Sequence, residues 1–188
     1  MPAQLKTIPS GRARATGLSL PVKIVLALLG VGVLGASAHI AIPFWPVPMT
    51  MESGTVLLLG AAYGSGLAEA TLLAFLAAGA LGLPVFASGA GLAYLAGPTA
   101  GYLLGYLVAA SFMGFCASRG WMLGLVGTIA AFLVGTVIIY AGGLAWLSVL
   151  MGPHKAVALG LVPFLPAEAT KVLMAILLFR AGHMIRGR

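Results

Sequence analysis

A chain of 188 residues with 61% hydrophobic and only 7% charged side chains is one domain of an integral membrane protein. No segment has the alternating pattern of roughly ten residues that marks an outer-membrane barrel, so α-helices are the spanning element, and the length holds about six spans of ~20 residues. The net charge of +7 is no sign of a nucleic-acid partner, because the cations cluster at the chain ends and in one tight loop, where they set topology.

Residues 1–19 are basic and rich in Gly, Ser and Thr, and are expected to form a frayed tail. Lys6, Arg12, Arg14 and Lys23 precede an apolar run ending in Ala36-Ser37-Ala38, which has the look of a signal-peptidase site. The run reads better as an uncleaved first helix, about Leu20–Ile42, stopped by Pro43. That choice gives an even number of spans with both chain ends on the basic side. Gly32 and Ala36 stand at small-xxx-small spacing, which permits close approach of a second helix; internal packing accounts for the spacing equally well.

The run IPFWPVPM at 42–49 has three prolines with Phe44 and Trp45, and cannot be helical. Exposed extended backbone is excluded at membrane depth. The segment therefore either anchors at the interface through its aromatics or folds back as a cover over a cavity. A short second helix, about Met49–Tyr63, spans roughly 22 Å. Gly64-Ser65-Gly66 turns into a third helix, about Leu67–Leu81, with Glu69 as a surface residue compensating the helix dipole. Residues 82–98 form a glycine-rich loop with Phe86 and Tyr94. It lacks the GKS or GKT of a phosphate cradle, and suits either a second wall of a ligand site or a plain connector. The fourth helix, about Thr99–Ala117, opens on Pro98 and carries Tyr102 and Tyr106 one turn apart. Arg119 and Gly120 break it. The fifth, about Trp121–Leu150, has Gly142-Gly143 as a candidate kink. Met151–Gly160, with His154 and Lys155, reads as a loop, and a sixth helix within Pro163–Arg180 leads to a basic tail over 182–188.

That last helix holds Glu168 and Lys171 in its first turns. Pro166 suits a first helical position, and Glu168 lies where the helix dipole favours an anion. Lys171 follows three residues later on the same face. An ionisable residue at membrane depth costs about 2.5–3.5 kcal/mol on insertion scales, so such a pair needs a reason. Six alternating spans put Lys6, Arg12, Arg14, Lys23, Arg119, Arg180, Arg186 and Arg188 on one side and Lys155 alone on the other. Both termini are then cytoplasmic. Glu168, Lys171, the proline loop and the glycine loop converge near the outer face.

The candidate acid–base groups Glu52, Glu168, Lys171, His39 and His154 match no catalytic motif. His39, His154 and His183 are scattered, which argues against a metal site, and lone Cys116 is a small packing residue. Binding fits better: a carboxylate accepts N–H groups and an ammonium takes a carboxylate or carbonyl oxygen. Phe44, Trp45, Phe86, Tyr94 and Tyr102 would enclose an apolar body. A mutual Glu168–Lys171 ion pair holding the bundle together is the plainer alternative. There is no Walker A motif, so uphill transport would draw its energy from a partner or an ion gradient.

Four runs in order, WPVPMTMES (45–53), GLPVFA (82–87), GPTAGYLLGY (97–106) and PFLPAEATK (163–171), resemble the BioY family. These are the biotin-specific S components of energy-coupling-factor (ECF) transporters. The resemblance covers about Leu20–Arg180. It implies a six-helix S-component bundle over 20–181 in the bacterial inner membrane, binding biotin without a cofactor, with the proline loop as lid. It also implies a transmembrane coupling subunit and two ATPases as partners, and docking through small residues of the first helix, here Gly32 and Ala36; whether the chain alone forms a homodimer is left open by the sequence. Its acid-x-x-Lys motif falls on Glu168 and Lys171. The family pattern usually has Asp where Glu168 stands, Gly where Ala167 stands, and commonly Gln where Glu52 stands. The extra methylene of Glu168 shifts the acceptor by about 1.5 Å or changes its rotamer. An S component for another vitamin, an intramembrane enzyme and a purely structural membrane subunit are the alternative readings.

Overall fold

The computed structural model describes residues 18–186. The tail expected over 1–19 lies outside the described residues up to position 17, as do Lys6, Arg12, Arg14, Arg188 and the side chains of His183 and Arg186.

Helix α1, Leu20–His39, starts with proline in its first turn and buries Gly30, Leu34, Gly35, Ser37 and Ala38. Two short strands follow, β1 (Ala41–Ile42) and β2 (Met49–Thr50), pairing antiparallel as Ala41 with Thr50 and Ile42 with Met49. The three prolines thus sit in the loop of a hairpin, where their missing N–H groups leave no ladder bond unmade. This pairing withdraws Ile42 from the first helix and Met49–Thr50 from the second, so α2 runs Glu52–Tyr63. Gly64, at φ +77, makes the turn alone, and α3 begins at once, Ser65–Ala80. The glycine loop contains one short helix, α4 (Leu92–Leu95), before α5 (Ala100–Ser118).

Helix α6, Leu125–Met151, passes through Gly142-Gly143 without a break. The glycines allow close packing. A Cβ on Gly143 would fall 2.3 Å from the Tyr102 ring, and one on Gly101 would meet the Gly142 carbonyl oxygen. Helices α5 and α6 form the most extensive helix pair, and α2 and α3 also pack on α5.

The segment expected as a loop after α6 is helical. Gly152, at φ +86, ends α6, and Pro153 opens α7, Pro153–Gly160. A 3₁₀ turn, Val162–Phe164, leads into α8, Leu165–Arg186. Where six helices are expected, the described residues hold seven of eight residues or more, the additional one being α7. Leu20–His39, Ala100–Ser118, Leu125–Met151 and the stretch Pro153–Gly182 are long and apolar enough to cross a membrane; Ser65–Ala80 is a shorter apolar helix. Leu28 and Val33 on α1, Val137 on α6 and Leu173 and Leu177 on α8 point outward, a pattern tolerated by hydrocarbon and costly in water.

Candidate functional site

Helix α8 packs on α2 and α6, and this sets its charged first turns against polar residues of both. Glu168 is 4% exposed and Lys171 7%. Lys171 Nζ lies 2.5 Å from Glu168 Oε2. It also donates to Ser53 Oγ at 2.9 Å and to the Thr50 carbonyl at 3.0 Å. An ammonium has three N–H donors, so all three are engaged.

Glu168 Oε2 accepts two further bonds, from Ser53 Oγ at 3.1 Å and from the Tyr140 hydroxyl at 3.2 Å. Its second oxygen, Oε1, is buried without a hydrogen-bond partner among the described residues, as is Oε1 of Glu52. An unmade bond at a buried acceptor costs about 1–3 kcal/mol, more at a charged one. Glu168 therefore presents an unfilled acceptor beside a fully engaged cation.

The pair opens on a cavity of about 30 Å³, room for one or two water molecules. Pro48 and Thr50 of the hairpin, Ser53 of α2, Tyr102 and Tyr106 of α5, Ile139 and Tyr140 of α6 and Phe164 of the 3₁₀ turn complete its wall. Any organic ligand requires this wall to move apart. The hairpin and the 3₁₀ turn are the lining elements outside the long helices.

Of the residues singled out from the sequence, Glu168, Lys171 and Tyr102 line the cavity. The Tyr102 hydroxyl donates to the Gly160 carbonyl at 2.7 Å, tying α5 to the end of α7. Phe44 stands outside the wall, its ring edge-on to Phe164 at 5.8 Å. Trp45, 75% exposed, is not in the lining. Nor are Phe86 and Tyr94: the Phe86 ring is buried, stacked on Tyr94 at 4.6 Å, edge-on to Phe75 and pressed against Gly79. Glu52 is buried within electrostatic reach of Lys171 but does not face the cavity. Gly32 and Ala36 lie on the exposed side of α1, and a Cβ at Gly32 would meet nothing within 4 Å. Among the described residues no group of three His, Cys, Asp or Glu is placed to hold a metal ion.

Ser53, Thr50, Tyr140 and Phe164 enter the site without having been singled out. Ser53 and Thr50 belong to the WPVPMTMES run, and Phe164 to PFLPAEATK, so both runs carried a signal. Tyr140 sits within an uninterrupted apolar helix, where nothing in the local sequence marks it.

The BioY family model matches residues 11–188. The chain belongs to the BioY family. It is 38% identical over 165 residues to the biotin transporter BioY of Thermotoga maritima, covering 82% of this chain and 89% of that one. It is 36% identical over 157 residues to the biotin transporter BioY of Rhizobium etli, covering 79% and 84%. With the probable biotin transporter BioY of Pyrococcus horikoshii it shares 32% over 157 residues, covering 83% and 93%. Its fold matches the 2.1 Å crystal structure of the S-component for biotin from an ECF-type ABC transporter, with a TM-score of 0.70 over 92% of this chain and 96% of that one, at 21% identity. A BioY-family chain with several apolar helices is a multi-pass membrane protein. Its relatives are transporters and not enzymes, so the buried acid and base are read as binding groups.

Proposed function

We propose that this chain is the biotin-binding S component of an ECF transporter and that Glu168 and Lys171 recognise the vitamin. The observation that carries the reading is the buried pair itself: one open carboxylate acceptor and one cation at a closed cavity, in a BioY-family chain. Biotin offers two ureido N–H donors, a ureido oxygen, an apolar bicycle and a carboxylate tail. Glu168 Oε1 accepts a ureido N–H, and Lys171 exchanges one of its present partners for the ligand carboxylate or ureido oxygen. Tyr102, Tyr106, Tyr140 and Phe164 enclose the apolar body, with Phe44 packed behind Phe164 and the 43–48 hairpin loop as lid.

In this reading α1, α2, α3, α5, α6 and α8 span a bacterial inner membrane six times with both termini cytoplasmic. Helix α7 and the hairpin then close the outer end. The distribution of cations supports that orientation. Gly32 and Ala36 dock a transmembrane coupling subunit, which connects to two ATPases; without it, the same small-residue face serves a homodimer. The exposure of both residues supports this use.

The test is equilibrium binding of biotin by the purified protein in detergent, with desthiobiotin, thiamine and riboflavin alongside. Selective biotin binding that weakens in Glu168→Ala and in Lys171→Ala supports the assignment. Selective binding of a different vitamin moves the chain to another specificity, and biotin affinity unaltered in both variants removes the two residues from recognition.

A further inference from the structure

Three charged side chains are buried among the described residues: Glu52, Glu168 and Lys171. One cation therefore faces two carboxyl groups. Lys171 directs its three donors to Glu168 Oε2, Ser53 Oγ and the Thr50 carbonyl, and none to Glu52. Glu52, 5% exposed, retains an Oε1 without a hydrogen-bond partner. The other ionisable groups in its electrostatic reach are the hydroxyls of Tyr106 on α5 and Tyr94 on α4, and neither supplies positive charge. Of the helices packed on α2, neither α1, α3 nor α6 buries a charged side chain, and α8 contributes only the Glu168–Lys171 pair.

A carboxyl group buried with one oxygen unpartnered and no cation bonded to it holds a proton in preference to a charge. We infer that Glu52 is the proton-holding group of this site, a neutral carboxylic acid in the ligand-free protein whose ionisation weakens the binding of an anionic ligand. With Glu52 neutral, Glu168 and Lys171 cancel, and an anionic tail can approach Lys171 against a single carboxylate. With Glu52 ionised, the same tail approaches Lys171 in the field of two carboxylates, Glu52 acting through space from outside the cavity lining. The proton comes from water and returns to it; no other bond changes.

Linkage fixes the sign. A ligand that prefers the protonated form binds less well as pH rises through the ionisation of Glu52, by up to about tenfold per pH unit, and takes up a proton on binding in that range. The ligand side of this inference rests on the biotin reading; the protonation side does not.

Biotin affinity measured from about pH 6 to about pH 10 in wild-type protein and in Glu52→Gln reads the coupling. The wild-type affinity should fall toward the alkaline end, while Glu52→Gln, which keeps the shape and cannot ionise, should stay level across the range where the two differ. Calorimetry in buffers of different ionisation enthalpy should show proton uptake in the wild type only. Biotin amide, with an uncharged tail, should show a shallower slope. Equal slopes in both proteins overturn the coupling.

Infrared spectra of the ligand-free protein at neutral pH read the proton directly, through the carbonyl stretch of a protonated carboxyl. The chain has three acidic side chains, so the assignment needs only Glu52→Gln, Glu69→Gln and Glu168→Gln. The band should vanish in Glu52→Gln, where its survival overturns the inference, and persist in Glu69→Gln. In Glu168→Gln the freed Lys171 favours ionisation of Glu52 and should weaken the band. Its absence from the wild type overturns the inference even if biotin binds tightly. Where the wild type shows the band and binds no biotin, the biotin reading fails and the protonation of Glu52 stands.

Discussion

A single methyl group at Gly143 tests how the cavity wall is held. In Gly143→Ala the new Cβ lies 2.3–2.4 Å from three atoms of the Tyr102 ring, whereas carbon atoms rest at roughly 3.5–4.0 Å. The ring must give way by more than 1 Å. It cannot do so freely, because its hydroxyl is bonded to the Gly160 carbonyl at 2.7 Å and its edge packs on Tyr140 at 5.9 Å. Overpacking of this kind costs about 1–3 kcal/mol, and a strained or broken hydrogen bond about 1 more. Alanine in place of glycine within a helix returns roughly 1 kcal/mol. The net expectation is a loss of about 1–3 kcal/mol in unfolding free energy, followed by circular dichroism in detergent, with weaker biotin binding because Tyr102 lines the cavity. The decisive comparison repeats the substitution in a Tyr102→Ala background. With the ring gone, the methyl meets no such obstacle and its effect should become neutral or stabilising by up to about 1 kcal/mol. If Gly143→Ala costs the same with and without the Tyr102 ring, the close approach does not explain the glycine.

Lys171→Ala and Glu168→Ala should each destabilise the fold by about 3–5 kcal/mol, and the double variant by clearly less than their sum, since each single change strands a buried partner; a double-mutant cycle in denaturant reads this. Tyr140→Phe removes one of the three groups bonded to Glu168 Oε2 and should cost about 1.5–3 kcal/mol, measured as stability and as biotin affinity. Ser53→Ala withdraws a partner from both charges at once, so its loss of biotin affinity should exceed that of Tyr140→Phe in the same binding assay. Gly32→Leu meets no neighbour, so stability and biotin binding should stay within about 0.5 kcal/mol of wild type. Uptake by cells that also supply the coupling subunit and ATPases should fall sharply.

The sequence made the charged pair legible because charges at membrane depth are rare, and Glu168 and Lys171 share a helical face by spacing alone. Proline density likewise foretold that 42–49 leaves the helix, although the two-residue ladder that closes it depends on Ala41 and Thr50 meeting across the loop. Helix α7 was not legible: its eight residues are too short for a clear period, and Gly152-Pro153 reads as readily as loop as it does as a stop and a start. The glycines at 142–143 do not show in sequence what they pack against, and only the packed structure supplies Tyr102. Aromatics in the proline loop and the glycine loop look alike in sequence. Phe86 turned out to be gripped between Phe75, Tyr94 and Gly79, whereas Phe44 packs on a cavity ring, a distinction set by tertiary contacts.

Phe44, Phe164, Tyr140 and Tyr102 form a row of rings in edge-to-face contact, with centroids 5.8, 6.5 and 5.9 Å apart, running from the hairpin to the hydroxyl that holds Gly160. In the proposed reading the charges that discriminate a ligand lie beside the inner rings, while Phe44, the most exposed ring of the row at 36%, lies at its outer end. In that reading passage and selection fall to different residues. Trimming the rim changes how quickly a molecule enters and leaves by similar factors and leaves its equilibrium occupancy nearly unaltered, whereas a change beside Glu168 alters occupancy mainly through residence time. Such a chain can be tuned for scarce nutrient by lengthening the dwell within, without slowing the door.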